Sequence, residues 1–192
     1  TIVVTGTNDK PTISASGGAI TERIGTGNAE IDTVTGPVTL TDPDLTDRPV
    51  VSAEISATDP FRYYDAEGND VTATLTPAQL AAILAVQVPL TVVQAAGNSH
   101  NGLATWTYSI ADGAFDFLAD GETLTLTYTA TVDDLHGGIV TAPFTVTTTS
   151  FSRSPFCTIS RRASPLLAAR PACTARSMNG AGRVAVMVGS VS

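Results

Sequence analysis

What the sequence lacks bounds what it can do. Its 192 residues include two Cys and two His, and neither His100 nor His136 has a cysteine at ligand-like spacing. A structural zinc site is therefore not expected. There is no Gly-x-Ser-x-Gly elbow, no local Cys–His signature and no Gly-x-x-x-x-Gly-Lys loop. The sequence thus gives no warrant for nucleophilic catalysis or phosphate cradling. Nothing singles out one pair for glycoside cleavage among the 18 acids, so an enzyme is not expected. No run of 18 apolar residues occurs, and no membrane span is expected. Aromatics are scarce at 6%. Trp106 and Tyr108 fall on the apolar side of an alternating segment and read as core, not as a sugar-stacking platform.

Basic residues are also scarce where acids are dense. The first 150 residues hold only Lys10, Arg23, Arg48 and Arg62 against all 18 Asp and Glu, a net −14. Residues 151–192 reverse this, with six Arg, no acid, both Cys (Cys157, Cys173) and both Met (Met178, Met187). Threonine follows the acids: 28 lie in the first 150 residues, and only Thr158 and Thr174 follow. The overall −8 averages two unlike polypeptides. An acidic body of this kind excludes nucleic acid as a partner and points to cations or basic surfaces.

What is present is strand signal. Over 104–110, 123–132 and 140–147 apolar residues alternate with Thr or Ser (Leu124, Leu126, Tyr128, Ala130 and Val132 against Thr123 through Thr131). Period two with one apolar face describes an antiparallel sheet with one side in water. A second sheet must cover the apolar face, so a β-sandwich follows. Weaker strands are predicted at 12–15, 37–41, 50–57, 71–75 and 89–94. One helix is predicted over about 77–86, with Thr76 as N-cap, Pro77 at the first helical position, and Leu80, Ile83 and Leu84 as its core-facing stripe. Thr1-Ile2-Val3-Val4-Thr5 begins without Met and reads as a strand already under way, so the chain is expected to be an excised segment.

Clustered carboxylates carry the chemical reading. Asp42, Asp44 and Asp47 place three acids in a six-residue turn, and Asp65, Glu67 and Asn69 set oxygens at alternate positions around Gly68. Hard oxygens on flexible turns are what calcium takes. Neither segment is an EF-hand, and Asp, Asn and Gly also form turns on their own account.

Four separated stretches, in order, then resemble one family. They are Gly102-Leu103-Ala104-Thr105-Trp106-Thr107-Tyr108-Ser109-Ile110, the run Ala114 to Tyr128, Thr131-Val132-Asp133-Asp134-Leu135-His136-Gly137-Gly138, and the opening Thr5-Gly6-Thr7-Asn8-Asp9-Lys10-Pro11; the helix-like Leu75 to Leu80 segment also fits. Together they resemble the VCBS-type repeat of large bacterial secreted and surface adhesins over residues 2–149. The resemblance implies an all-β, Ig-like or cadherin-like antiparallel sandwich with one short helix. It also implies tandem arrays, a secreted or cell-surface location, and a part in adhesion and biofilm. Residues 1–10 would be the last strand and linker of a preceding repeat, and 11–149 the repeat itself.

In cadherin-like arrays calcium sits at the junction. The matching positions are Asn8 and Asp9 in the linker, Glu22 as an early glutamate, and Asp133 with Asp134. This sequence departs from that pattern at Gly6 and Lys10, where acidic or amide ligands would stand, and Asp133-Asp134 reads equally as a hairpin entry. The expected function is a structural, adhesive module stabilised by calcium, its partners being neighbouring repeats and a glycan or protein on another surface. A carbohydrate-binding module on a secreted hydrolase is the alternative. Residues 150–192 leave the family pattern; they read as a frameshift product or as a genuine basic tail, poorly ordered, with a disulfide open to Cys157 and Cys173.

Overall fold

The computed structural model describes residues 1–150. The expectations for the tail, including its disorder, a disulfide and a short strand at 184–188, lie outside the described residues. Nine strands form two sheets: β1 (Thr12–Ala15), β2 (Gly18–Thr21), β3 (Ile31–Thr41), β4 (Val50–Ile55), β5 (Phe61–Tyr64), β6 (Thr91–Gln94), β7 (Asn101–Ala111), β8 (Thr123–Asp133) and β9 (Ile139–Thr149). The first sheet runs β1-β3-β7-β6; the second runs β2-β9-β8-β4, with β5 also paired to β8. The protein is an all-β, Ig-like sandwich with one short helix, α1 (Pro77–Ala85).

The three strongly alternating segments are the strands β7, β8 and β9. Alternation persists because each strand buries one row and hydrates the other. Trp106, Tyr108, Leu124, Leu126, Ala130, Val132 and Val146 are fully buried. Trp106 stacks on Phe144 at 4.9 Å between centroids, and Phe144 stacks on Tyr128 at 5.9 Å. Trp106 and Tyr108 therefore belong to the core, as expected, and offer no surface to a sugar.

Three local features differ from expectation. Residues 71–75 form a 3-10 turn at Thr72–Thr74, because Asp70 Oδ1 accepts from Thr72 N at 3.0 Å and Val71 O accepts from Thr74 N at 2.9 Å. These local bonds satisfy the backbone before a sheet can. Strands β2 and β5, four residues each, have too little alternation to be read in advance. Residues 1–10 form no strand; Ile2, Val3 and Val4 are more than 80% exposed, with no pairing strand among the described residues.

One pairing is parallel: β2 against β9, with Gly18 opposite Val146 and Thr21 opposite Thr149. The chain leaves β1 in the first sheet and continues in the same direction on the edge of the second. Glycine permits this switch. A Cβ on Gly17 would strike Thr145, one on Gly18 would strike Val34 and Trp106, and one on Gly36 would strike Trp106 and the Ser16 carbonyl. The Trp106 indole N–H donates to that Ser16 carbonyl at 2.9 Å, pinning the crossing to the core.

The helix has the predicted cap. Thr76 Oγ1 accepts from Gln79 N at 3.3 Å and Gln79 Oε1 accepts from Thr76 N at 2.9 Å, a reciprocal capping box. Its predicted stripe is corrected: Ile83 is buried, but Leu80 and Leu84 are 41% and 55% exposed. The contact line passes through Ile83 and Val86, because Tyr108 and Tyr128 hold the segment after the helix by donating to Val86 O at 2.7 Å and Val88 O at 2.9 Å.

Candidate metal centre

Acids collect at the two ends of the sandwich, where strands turn. At the end that receives residues 8–10, three segments meet: the loop after β3, the loop between β8 and β9, and the N-terminal segment. The loop after β3 is fixed by its own backbone. Asp42 N donates to His100 O at 2.9 Å, Asp44 N to Asp42 Oδ1 at 2.8 Å, and Asp47 N to Asp44 O at 3.0 Å. This winding turns three carboxylates inward, so that one oxygen each from Asp42, Asp44 and Asp47 lie within 4.8 Å of one another. Asp42 and Asp47 are buried, and Asp42 Oδ2 and Asp47 Oδ2 are shielded from solvent without a hydrogen-bond donor.

The β8–β9 loop brings a further acid to this end, outside the group of three. Asp134 is fully buried. Its Oδ1 accepts from His136 N at 2.7 Å and Gly138 N at 2.8 Å, and its Oδ2 accepts from Asn8 Nδ2 at 3.0 Å. The Asn8 amide above all, and those two N–H groups, hold this carboxyl below its ordinary range. Leu135 takes a left-handed φ of 66° and Gly137 one of 104° to close the loop. A Cβ at Gly138 would collide with the Asp134 carboxylate, so the acid lies where only glycine leaves room.

The linker reaches the same place. Asp9 N donates to Asp44 Oδ2 at 2.7 Å, beside the Asn8–Asp134 bond. Six of the sequence-derived candidates thus converge: Asn8, Asp9, Asp42, Asp44, Asp47 and Asp134. Asp133 is the adjacent turn former, its Oδ1 accepting from Leu135 N at 2.8 Å. His136 has an exposed ring whose Nδ1 lies 3.0 Å from Asp134 O and 3.2 Å from Asp47 Oδ2. The bond to the Asp134 carbonyl and the charge of Asp47 raise its pKa. The Asp134 carbonyl and Asp47 Oδ2 thus share the His136 Nδ1 as a neighbour. The signal for His136 was its place two residues after Asp134.

The remaining candidates lie elsewhere. Asp65 accepts from Glu67 N at 3.1 Å, Asn69 N at 2.7 Å and Asn69 Nδ2 at 2.9 Å, so Asp65, Glu67 and Asn69 form an exposed turn after β5. The Asn69 amide keeps the Asp65 carboxyl low. Glu22 sits at the opposite end, where its N–H donates to Thr149 O at 3.0 Å.

That opposite end is a second acidic pole, which the sequence reading missed apart from Glu22. Asp32 at the start of β3 and Asp112 after β7 are buried there, and Asp116 accepts from Gly27 N at 2.6 Å. Arg23 pairs with Asp32 at 3.0 Å and with Glu30, and its N–H donates to Asp112 Oδ1 at 2.9 Å; Asn28 donates to Asp112 Oδ2 at 2.9 Å. Burial, and then the charges of Asp112 and Asp116, push the Glu22 carboxyl up to about 7. Burial and the adjoining Asp112 also raise Asp32. Asp32 was legible only as an acid on the inward-facing row of β3, among Val34, Val38 and Leu40.

No family model matches the chain, and no curated protein matches it. Solved structures similar to it include the N-terminal Ig1-2 module of the Drosophila receptor protein tyrosine phosphatase DLAR, at 14% identity and TM-score 0.37 over 77% of this chain. This chain spans about half of that module, 53% of its length. The ASH/PapD-like domain 7 of human CEP192 matches at 14% identity and TM-score 0.38, over 79% of this chain and 94% of that one. AggA, the major subunit of aggregative adherence fimbriae type I from Escherichia coli, matches at 10% identity and TM-score 0.38, over 78% and 99%. Likenesses at this level carry no argument about function, and the sandwich rests on its own strand pairing.

Proposed function

We propose that this chain is a structural repeat unit of an adhesive surface protein, in which calcium at one end of the sandwich locks the linker to the body. The observation that carries this reading is that linker and cluster share partners. Asn8 is bonded to Asp134 and Asp9 to Asp44, while Asp42 keeps a buried oxygen without a donor and Asp47 Oδ2 is faced by the exposed His136 ring at 3.2 Å. A buried anionic oxygen without a partner costs several kcal/mol, on the order of the penalty for any unpaired buried polar group or more. A divalent cation removes that cost. The spacing suits it, since oxygens on opposite sides of a calcium ion at 2.3–2.6 Å from each stand about 4.8 Å apart. The donors are hard oxygens, which favours calcium over zinc.

The resemblance of residues 2–149 to VCBS-type repeats extends this reading to tandem arrays, secretion or display at the cell surface, and adhesion. In such an array residues 1–10, unpaired in this chain, would pair as the last strand of a preceding unit and continue as its linker. The patterned match of Ile2–Thr7 to Phe144–Thr149, the end of β9, supports that register. The second acidic pole lies where β9 ends, so successive units would meet acid to acid and need cations between them. Thermal melting of the whole chain in millimolar calcium and in chelator tests the proposal. A rise in midpoint with calcium supports it, and an unmoved midpoint removes calcium as a structural ligand of this unit.

A further inference from the structure

Most acids sit at the ends of the sandwich; of its broad faces, the second sheet carries the exposed Glu54 of β4 and Arg62 of β5. The outer face of the β1-β3-β7-β6 sheet carries no charged side chain, on a body of net −14. Every outward position of these four strands is threonine, serine, asparagine, proline or an aliphatic residue. The strand register aligns them in rows across the sheet: Thr91 with Thr107 and Thr35, and Val93 with Thr105 and Pro37. Three aliphatic side chains stand out of this face, Ile31 at 60%, Val93 at 61% and Leu103 at 40% exposure.

We propose that this face is a self-association surface, and that its occupant is the same face of a second copy of this chain. Three considerations select that occupant. A threonine hydroxyl both donates and accepts, so a sheet face of threonines complements itself, with the γ-methyls supplying apolar contact. A charged partner finds no countercharge on it. Like-charged copies repel one another through their acidic ends, and this face is where two such bodies approach with least Coulombic cost.

The size of the face sets the strength. Two 11-residue strands flanked by two four-residue strands cover roughly 500 Å² at ordinary strand spacing and rise. That is below the ~800 Å² per partner of a stable complex. A single pair of copies is weakly bound, and copies held side by side in an array gain through effective concentration. The inference does not depend on the cation reading, and chelator separates the two.

The test is sedimentation of the full chain in chelator, from micromolar to millimolar concentration, at low salt and at about 0.5 M salt. The weight-average mass is expected to rise towards that of a dimer as concentration rises, and to do so at least as strongly in high salt. Thr105→Glu and Thr105→Lys, both at an exposed position, are each expected to weaken association about tenfold, and mixing the two variants to restore it. Restoration on mixing shows that both variants are folded. A monomer at every concentration overturns the proposal. So does association that disappears in high salt, which would assign it to the Arg-rich residues 151–192 on the acidic body, and so does association that the Thr105 variants leave intact.

Discussion

Asn8 Nδ2 lies 3.0 Å from Asp134 Oδ2, a bond that spans 126 positions of sequence. It ties the segment preceding the sandwich to the loop between its last two strands. Because Asp9 N also bonds to Asp44, the linker is held at two points by the same acidic pole.

Gly138→Ala should misplace Asp134. The added Cβ would stand in the carboxylate's position, and Lys10 Cα, 3.2 Å away, closes the other side. The side chain must rotate out, losing the bonds from His136 N, Gly138 N and Asn8. The expected cost is about 2–3 kcal/mol in chemical denaturation, together with loss of any calcium-dependent rise in stability.

Leu135 is 63% exposed and holds a φ of 66°, a conformation that costs an L-residue roughly 1–2 kcal/mol. Leu135→Asn keeps the loop and tolerates that backbone. It should stabilise the protein by about 0.5–1 kcal/mol, read from the denaturation midpoint at unchanged slope.

Glu22 gives the molecule a defined pH response. Its folded pKa is raised from 4.5 to about 7, chiefly by burial, so the folded state binds the extra proton in that window. Stability from this group is complete below pH 4.5, falls as pH rises through the window and levels off above 7. The difference is about 3 kcal/mol at 1.36 kcal/mol per pKa unit. Measured pH by pH in chelator, Glu22→Gln should gain on the parent protein between those limits. Equal slopes for the two proteins would show that Glu22 ionises freely in the folded state.

Trp106→Phe keeps an aromatic ring against Phe144 but removes the N–H that satisfies Ser16 O at the sheet switch. A loss of about 1–3 kcal/mol is expected, from the unpaired carbonyl and the smaller ring. Trp106→Ala should cost about 3–5 kcal/mol, because the residue is fully buried.

The fold was legible where alternation was long. In β7, β8 and β9 eleven residues each repeat the same in–out pattern, and a one-residue slip would expose every buried member. It was not legible where pairing is short or non-local. Residues Gly18–Thr21 form a strand only because β9 lies beside them, and Val71–Leu75 turn because Asp70 caps them locally. The same division holds for the candidate site. Asp42, Asp44 and Asp47 are close in sequence and stood out, and the resemblance brought in Asn8, Asp9 and Asp134. His136 beside Asp47, and the grouping of Asp32, Asp112 and Asp116 near Glu22, arise only when separate loops fold together at either end of the sandwich, so sequence spacing marks single members and not the groups.

The proposed calcium site is formed by Asp42, Asp44 and Asp47, with Asp134 and Asp44 fastening the linker beside it. Titration calorimetry of calcium into the chelator-treated full chain, compared with Asp42→Asn and Asp47→Asn, tests it most directly. A saturable calcium-binding event is expected in the parent protein, weakened at least about tenfold by each substitution, since each removes a charged oxygen ligand. An identical isotherm in all three proteins, or no heat beyond dilution in the parent, would contradict it.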